Sequence, residues 1–242
     1  MATDATREMR MTTRIDGPRL APRSGSAKQL VVILHGYGAD GNDLIAMGEQ
    51  WAQILPDAAF VAPNAHEPCE HMPSGRQWFR LTDRNPHERW SGACAAAPII
   101  NDFIDEELRR LQAPDSRVAL VGFSQGAMMA LHVGLRRPRA PAGVLAYSGV
   151  LVGPEKLKAD LAARPQGASS PPVFLIHGSA DEVVPAEALF MSADALSEAG
   201  LSCQWRLAHG LGHSIDGPGL AKGAMFLASC FGLPFPEKLI RR

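Results

Sequence analysis

Apolar residues recur in two rhythms along the 242-residue chain. The first is a short unbroken run. Residues 30–34 (LVVIL), 59–62 (AFVA), 117–123 (RVALVGF), 142–149 (AGVLAYSG), 171–178 (PPVFLIHG) and 202–210 (SCQWRLAHG) are apolar stretches bounded by Gly, Pro, Asn or His. Runs of this length, rich in β-branched residues, suit strands buried on both faces. The second rhythm is helical. In GNDLIAMGEQWAQIL, Leu44, Met47, Trp51 and Ile54 fall on one face, with Asn42 or Asp43 placed to cap the start. From Pro98, the spacing of Ile100, Phe103, Ile104, Leu108 and Leu111 predicts an amphipathic helix with proline in its first turn. SQGAMMALHVGLRRP reads as a helix stopped by Pro138, and helical patterns occupy 185–199 and 218–231. Strands alternating with helices predict right-handed crossovers and a mainly parallel central sheet with helices on both faces. Residues 65–97 show no clear period and read as a long irregular insertion, more often functional than idle. The 167–172 stretch reads as a loop. Nothing repeats and nothing resembles a linker, so the expected organisation is a flexible tail over residues 1–20 and a single domain over 21–242.

Composition narrows the function. Lys and Arg number 24 against 25 Asp and Glu, a formal charge of −1. That balance gives no electrostatic reason for nucleic-acid or anionic-membrane binding. No apolar run is long enough to span a bilayer. The opening MATDATREMRMTTRID mixes acids and bases with no apolar core behind it, unlike a secretory signal, and the terminal LIRR matches no lipidation or retention signal. Cys69, Cys94, Cys203 and Cys230 are scattered without a CxxC, the usage expected of free thiols inside a cell.

In a parallel sheet, chemistry belongs at the carboxyl ends of the strands. Gly122-Phe123-Ser124-Gln125-Gly126 follows one predicted strand and opens a helix. That context makes a Gly-x-Ser-x-Gly pattern informative, because the glycines leave room for a strained turn that holds a serine hydroxyl above the sheet. The competing reading is an N-capping serine in an ordinary turn. A serine needs a base, and the base an orienting acid, in the chain order Ser, acid, His for an α/β-hydrolase layout. Asp181, in HGSADEVVP, and His213, in HGLGHSID, both follow predicted strands. Glu182, His209 and His177 are rivals: Glu182 points elsewhere, His209 terminates its strand, and His177 has the position of a supporting residue. A tetrahedral oxyanion needs two backbone N–H donors. Gln125 supplies one and Tyr37, in the Gly-rich HGYGADG loop, the other. That loop lacks the GxGxxG spacing and the Lys-Ser/Thr of a phosphate-binding loop.

Taken together, LHGYGADGNDL, GFSQGAMMAL, HGSADEVVP and GLGHSID resemble the carboxylesterase/acyl-protein thioesterase/lysophospholipase family of serine α/β-hydrolases. The likeness runs from about Leu30 over nearly the whole chain. It implies Ser124 as nucleophile, Asp181 as orienter, His213 as base and the Tyr37 and Gln125 amides as oxyanion donors. It implies cytoplasmic hydrolysis, without cofactor, of a small ester or thioester with an apolar acyl group. Trp78-Phe79 matches a short family motif near the substrate cleft. The family commonly places an acid next, where this chain has Arg80. Trp78, Phe79 and Trp90 could shape an apolar cleft or equally form a satellite cluster that pins the long loop, and Met128 could line an acyl pocket or pack in the core; Trp78, Phe79 and Met128 are taken as the substrate-facing candidates. His66, Cys69, Glu70 and His71 form a cluster of metal-ligand types, but the stretch has prolines and no supporting pattern, so no metal is expected. The expected activity is that of a carboxylesterase. Thioesterase or lysophospholipase action on longer chains is the alternative, and a non-catalytic ligand-binding member of the fold the remote one. No nucleic acid and no stable membrane insertion are expected, and a homodimer is left open.

Overall fold

The structure is a computed structural model describing residues 13–234. In chain order its elements are β1 (Arg19–Leu20), β2 (Gln29–Leu34), α1 (Gly41–Trp51), β3 (Ala58–Val61), β4 (Glu67–Pro68), β5 (Arg76–Gln77), α2 (Pro86–Leu111), β6 (Val118–Phe123), α3 (Gln125–Arg136), β7 (Gly143–Tyr147), α4 (Pro154–Ala162), β8 (Val173–Gly178), α5 (Glu187–Glu198), β9 (Cys203–Ala208) and α6 (Gly217–Cys230). Seven strands form one sheet in the order β1-β3-β2-β6-β7-β8-β9, and only β1 runs antiparallel to its neighbour. From β2 the chain crosses to β3 on one side, and β6 later fills the other side. The strand order therefore reverses at β2, and a crevice opens there at the carboxyl ends.

The unbroken apolar runs of β2, β6, β7 and β8 have the cause read from the sequence, whereas β9, at the sheet edge, leaves Gln204 and Trp205 exposed. Leu30, Val32 and Leu34 enter the core beneath α2, α3 and α5, whereas Val31 and Ile33 enter the core beneath α1 and α6. The same alternation holds at Val144 and Ala146 against Leu145 and Tyr147. Each Val, Leu or Ile side chain among them contributes about 1.5–3 kcal/mol by leaving water.

Three expectations change. The 1–20 tail is built into the fold from its described part onward: Ile15 is buried, and Arg19 and Leu20 pair with Val61 and Phe60. Two paired residues are too short a run to register as a period. Residues 1–12 of that tail, and 235–242 of the expected domain, lie outside the described residues. The 65–97 insertion is half structured: β4 and β5 form a small hairpin, and α2 starts at Pro86 rather than Pro98. Asn85 caps it, accepting from the Glu88 amide at 2.8 Å, and Pro86 takes the first turn, so the start signal stands well upstream. Pro98 lies inside the helix. The buried stripe there is Ala93 and Ala96, too small to stand out as an apolar rhythm. At α1 the cap is Asp40, with Asp43 reaching back to the Asp40 amide in a capping box. The sequence reading had no counterpart of α4. Among the described residues, no helix is long and apolar enough to cross a membrane.

Candidate active site

Leu34 and Gly122 are register partners on neighbouring parallel strands. The loops that follow, His35-Gly36-Tyr37 and Phe123-Ser124-Gln125, therefore leave the sheet side by side. Glycines make the crossing possible. A β-carbon on Gly122 would lie 2.1 Å from the Gly126 carbonyl oxygen, and one on Gly126 would lie 2.0 Å from that of Leu34. Between them Ser124 adopts φ 55°, ψ −118°, a strained conformation for a residue with a side chain, costing about 1–3 kcal/mol. Its amide donates to the Tyr147 carbonyl at 2.9 Å, which ties the turn to the end of β7.

The second pair of loops follows the same logic. Gly178 and Ala208 are partners at the ends of β8 and β9, and the chain beyond them carries Asp181 and His213. Ser179 donates to the Ala208 carbonyl and Ala180 to that of Leu211, both at 2.9 Å, so the two loops are sewn together. The Asp181 carboxylate meets His213 Nδ1 at 2.7 Å. Its other oxygen accepts from the Val183 and Val184 amides, each at 2.9 Å. Burial pushes the Asp181 carboxyl up, but the bonds from His213 and the two amides outweigh it and hold the group below its ordinary value. The His213 ring packs on Phe123, next to Ser124, with centroids 4.8 Å apart. Among the described residues no hydrogen bond joins the Ser124 hydroxyl to the imidazole.

The rivals fall elsewhere. Glu182 and His209 are exposed. His177 is buried, and its Nε2 donates to the Val184 carbonyl at 2.8 Å while lying 3.4 Å from Asp181, so it braces the turn that carries the acid.

The two amides expected to hold the oxyanion both lack an acceptor among the described residues. The Gly36 and Ala39 carbonyls and the Gly38 and Ala39 amides are all bonded within the loop or to Arg76. The Tyr37 amide donates to no described residue, and the Gln125 amide opens α3 with no preceding turn to receive it. The hairpin hidden in the irregular insertion explains the loop's support. Gly38 donates to the Arg76 carbonyl at 2.9 Å and Arg76 to that of Ala39 at 2.8 Å. The Tyr37 phenol is pushed up to about 12 by burial and by the neighbouring Cys69 thiol, so it stays neutral.

Trp78, Phe79 and Met128, expected to face substrate, are packed into the core, with 1%, 3% and 5% of their surface exposed. The Trp78 indole donates to the His35 carbonyl at 2.9 Å, and the Gln125 side chain grips the Trp78 amide and the Phe79 carbonyl at 2.9 and 2.7 Å. These aromatics support the site from beneath. The open cleft nearby, about 660 Å³, has Trp90, Val150, Leu151, Val152 and Met191 on its apolar side and also carries the charged Arg89, Glu155 and Lys156. It begins one residue past Gly149, which packs on the Ser124 carbonyl and Ala127. Sequence reading gives Val150–Val152 and Met191 no role because they fall in no motif, whereas Trp90 is among the aromatics it offers for an apolar cleft. A larger cleft of about 960 Å³, lined by Asp115, Pro138 and Gly167 among others, lies at the amino ends of the strands, away from this chemistry. Among the described residues no three His, Cys, Asp or Glu side chains are grouped to hold a metal, and Cys69 is turned inward.

A model of the phospholipase/carboxylesterase family matches residues 16–231. The Escherichia coli protein named Esterase YpfH is 29% identical over 78% of each chain. An acyl-protein thioesterase 1 of Neurospora crassa is 30% identical over 81% of this chain and 84% of its own. The crystal structure of esterase PE8 superposes with a TM-score of 0.84 at 42% identity, over 90% of this chain and 99% of that one. The strand order, the serine turn and these likenesses meet in one conclusion: the chain has the α/β-hydrolase fold and belongs to the phospholipase/carboxylesterase family.

Proposed function

We propose that this protein is a serine hydrolase that cleaves carboxylic esters through an acyl-enzyme, with Ser124, His213 and Asp181 as its proton relay. Ser124 attacks the acyl carbonyl as His213 Nε2 takes its proton, and the oxyanion is held by the Tyr37 and Gln125 amides. His213 then protonates the departing alcohol, and water repeats the cycle on the acyl-enzyme. The observation that carries this reading is the Asp181–His213 bond of 2.7 Å beside a serine held at positive φ. The bond fixes the imidazole with Nδ1 protonated, which leaves Nε2 as the acceptor that a base requires. The acyl group lies in the cleft walled by Val150 and Trp90, whose lining suits an apolar chain.

A thioester is the second reading, supported by the relative named acyl-protein thioesterase 1. The relay is the same; only the leaving group and the length of chain differ. A fluorophosphonate probe tests the relay: it should label Ser124, and Ser124→Ala should abolish both labelling and turnover of p-nitrophenyl butyrate. Turnover that persists in Ser124→Ala sinks the assignment. Rates on oxygen and sulfur esters of increasing chain length then decide between the two substrates.

A further inference from the structure

We infer that His35 is a positioning residue that fixes the direction of the Tyr37 amide, through a buried network it shares with Trp78 and Gln125. The inference rests on the reading of that amide as an oxyanion donor. His35 is fully buried and touches two backbone groups of opposite character. Its Nε2 lies 2.9 Å from the Ala65 amide, a donor, so Nε2 must accept. Its Nδ1 lies 2.8 Å from the Gly36 carbonyl, an acceptor, so Nδ1 must carry the proton. Only the neutral Nδ1–H tautomer satisfies both. Burial, which pushes the imidazole below its ordinary value, keeps it in that form.

The Gly36 carbonyl and the Tyr37 N–H belong to one planar trans peptide and point in opposite directions. Holding the carbonyl toward the imidazole therefore aims the N–H away from it. Gly36 itself lies against the nucleophile: a β-carbon there would sit 3.3 Å from that of Ser124. Glycine tolerates either orientation of this peptide, and the loop's own restraint on it is the longer bond from the Ala39 amide to the same carbonyl, at 3.3 Å against 2.8 Å for the imidazole. The preceding peptide is held as well, because the Trp78 indole donates to the His35 carbonyl at 2.9 Å. Trp78 is in turn held by Gln125, the residue that offers the second donor. The two oxyanion donors thus share one scaffold: His35 beside the first, Trp78 between, and the Gln125 side chain beneath the second. This gives the buried Trp78-Phe79 pair a purpose that does not involve touching substrate.

The test compares His35→Ala, His35→Asn and Trp78→Phe in the full chain. An asparagine amide nitrogen takes the place of ring Nδ1 and can still donate to the Gly36 carbonyl. Loss of one oxyanion donor costs about 10²–10³ in kcat, so His35→Ala should fall by about that factor with KM changed by less than about threefold. Affinity for an alkyl trifluoromethyl ketone, which binds as a tetrahedral adduct, should fall in parallel. His35→Asn should recover to within about tenfold of wild type, and Trp78→Phe should lose roughly tenfold in kcat at constant KM. A merely structural role lowers the melting temperature and leaves kcat of the folded protein alone. A folded His35→Ala protein with wild-type kcat and ketone affinity overturns the inference. Should His35→Ala not fold, Trp78→Phe decides: wild-type kinetics there overturns it. Fluorophosphonate labelling of wild-type Ser124 separates the two levels. Without labelling the parent reading fails; with labelling and unaffected variants, only the positioning role fails.

Discussion

Asp181 and Asp115 are both buried residues at opposite ends of the sheet, each 7% exposed overall, with 0% and 8% of their side chains exposed. Each is held below its ordinary value against the pull of burial, which would raise it. Their partners differ. Asp181, beyond the carboxyl end of β8, bonds an imidazole. Asp115, just before β6, bonds the guanidinium groups of Arg137 at 2.6 Å and Arg139 at 2.8 Å. Arg137 follows α3, so this pair closes the base of the strand-turn-helix unit whose top carries Ser124. A guanidinium never gives up its proton, so the lower pair can only hold the chain. An imidazole bonded through Nδ1 keeps a second nitrogen that can accept a proton, which is what the proposed relay asks of the upper pair. Burial alone does not separate a reactive carboxylate from a structural one. The chemistry of its partner does.

The comparison breaks most visibly by removing the partner or the charge. His213→Ala should lower kcat by at least about 10³, and Asp181→Asn by about 10⁴, because the amide favours the wrong imidazole tautomer. His209→Ala, on an exposed turn, should stay within about twofold of wild type. Asp115→Asn should leave kcat within about twofold but lower unfolding stability by about 1.5–3 kcal/mol, because it removes one of the two carboxylates on the buried Arg137 guanidinium, which keeps Asp105 and Asn101. Steady-state kinetics and urea unfolding on the four proteins decide. An Asp115→Asn enzyme that is stable but inactive would reverse the roles assigned to the two ends.

Acid sharpens the same contrast at the level of stability. Both carboxyls have folded values lower than their ordinary 3.8. Each therefore adds stability that is present above about pH 4 and lost as pH falls through the lower folded value. Unfolding free energy measured downward from pH 5 should drop. In Asp115→Asn the drop should be shallower, since one of the contributing groups is gone. A curve parallel to wild type would mean that the Arg137 and Arg139 bonds add nothing.

What the sequence displays depends on whether the responsible residues act locally. The sheet was legible because strands buried on both faces need unbroken apolar runs, as at residues 30–34 and 118–123. Ser124 was legible because its turn needs Gly122 and Gly126 within two residues on either side. Asp181 and His213 were legible by type and by their position after strands, while their meeting depends on the β8–β9 register. The β4–β5 hairpin was hidden because two-residue strands have no period and its bonds run to a distant loop. Trp78 and Phe79 misled because apolar aromatics beside a site look the same in sequence whether they line it or carry it. Only the hydrogen bonds to His35 and Gln125 distinguish the two.

The smallest effect concerns Arg80, which stands where the resembling family commonly carries an acid. It lies on the surface 3.1 Å from Glu70 of the hairpin that supports the Tyr37 loop. Both partners keep much of their water, so the pair should contribute less than about 1 kcal/mol and fade with added salt. Arg80→Asp would set two carboxylates against each other at the edge of that hairpin. Glu70→Arg in the same protein should restore the attraction with its sign reversed. A double-mutant cycle at low and at high salt measures this coupling. If it exceeds what an exposed pair allows, or if kcat moves with it, the hairpin transmits surface charge to the oxyanion loop. If it vanishes at high salt with kcat unchanged, Arg80 is a local replacement that leaves the chemistry beneath it alone, as the backbone bonds between Arg76 and the Gly38-Ala39 segment lead us to expect.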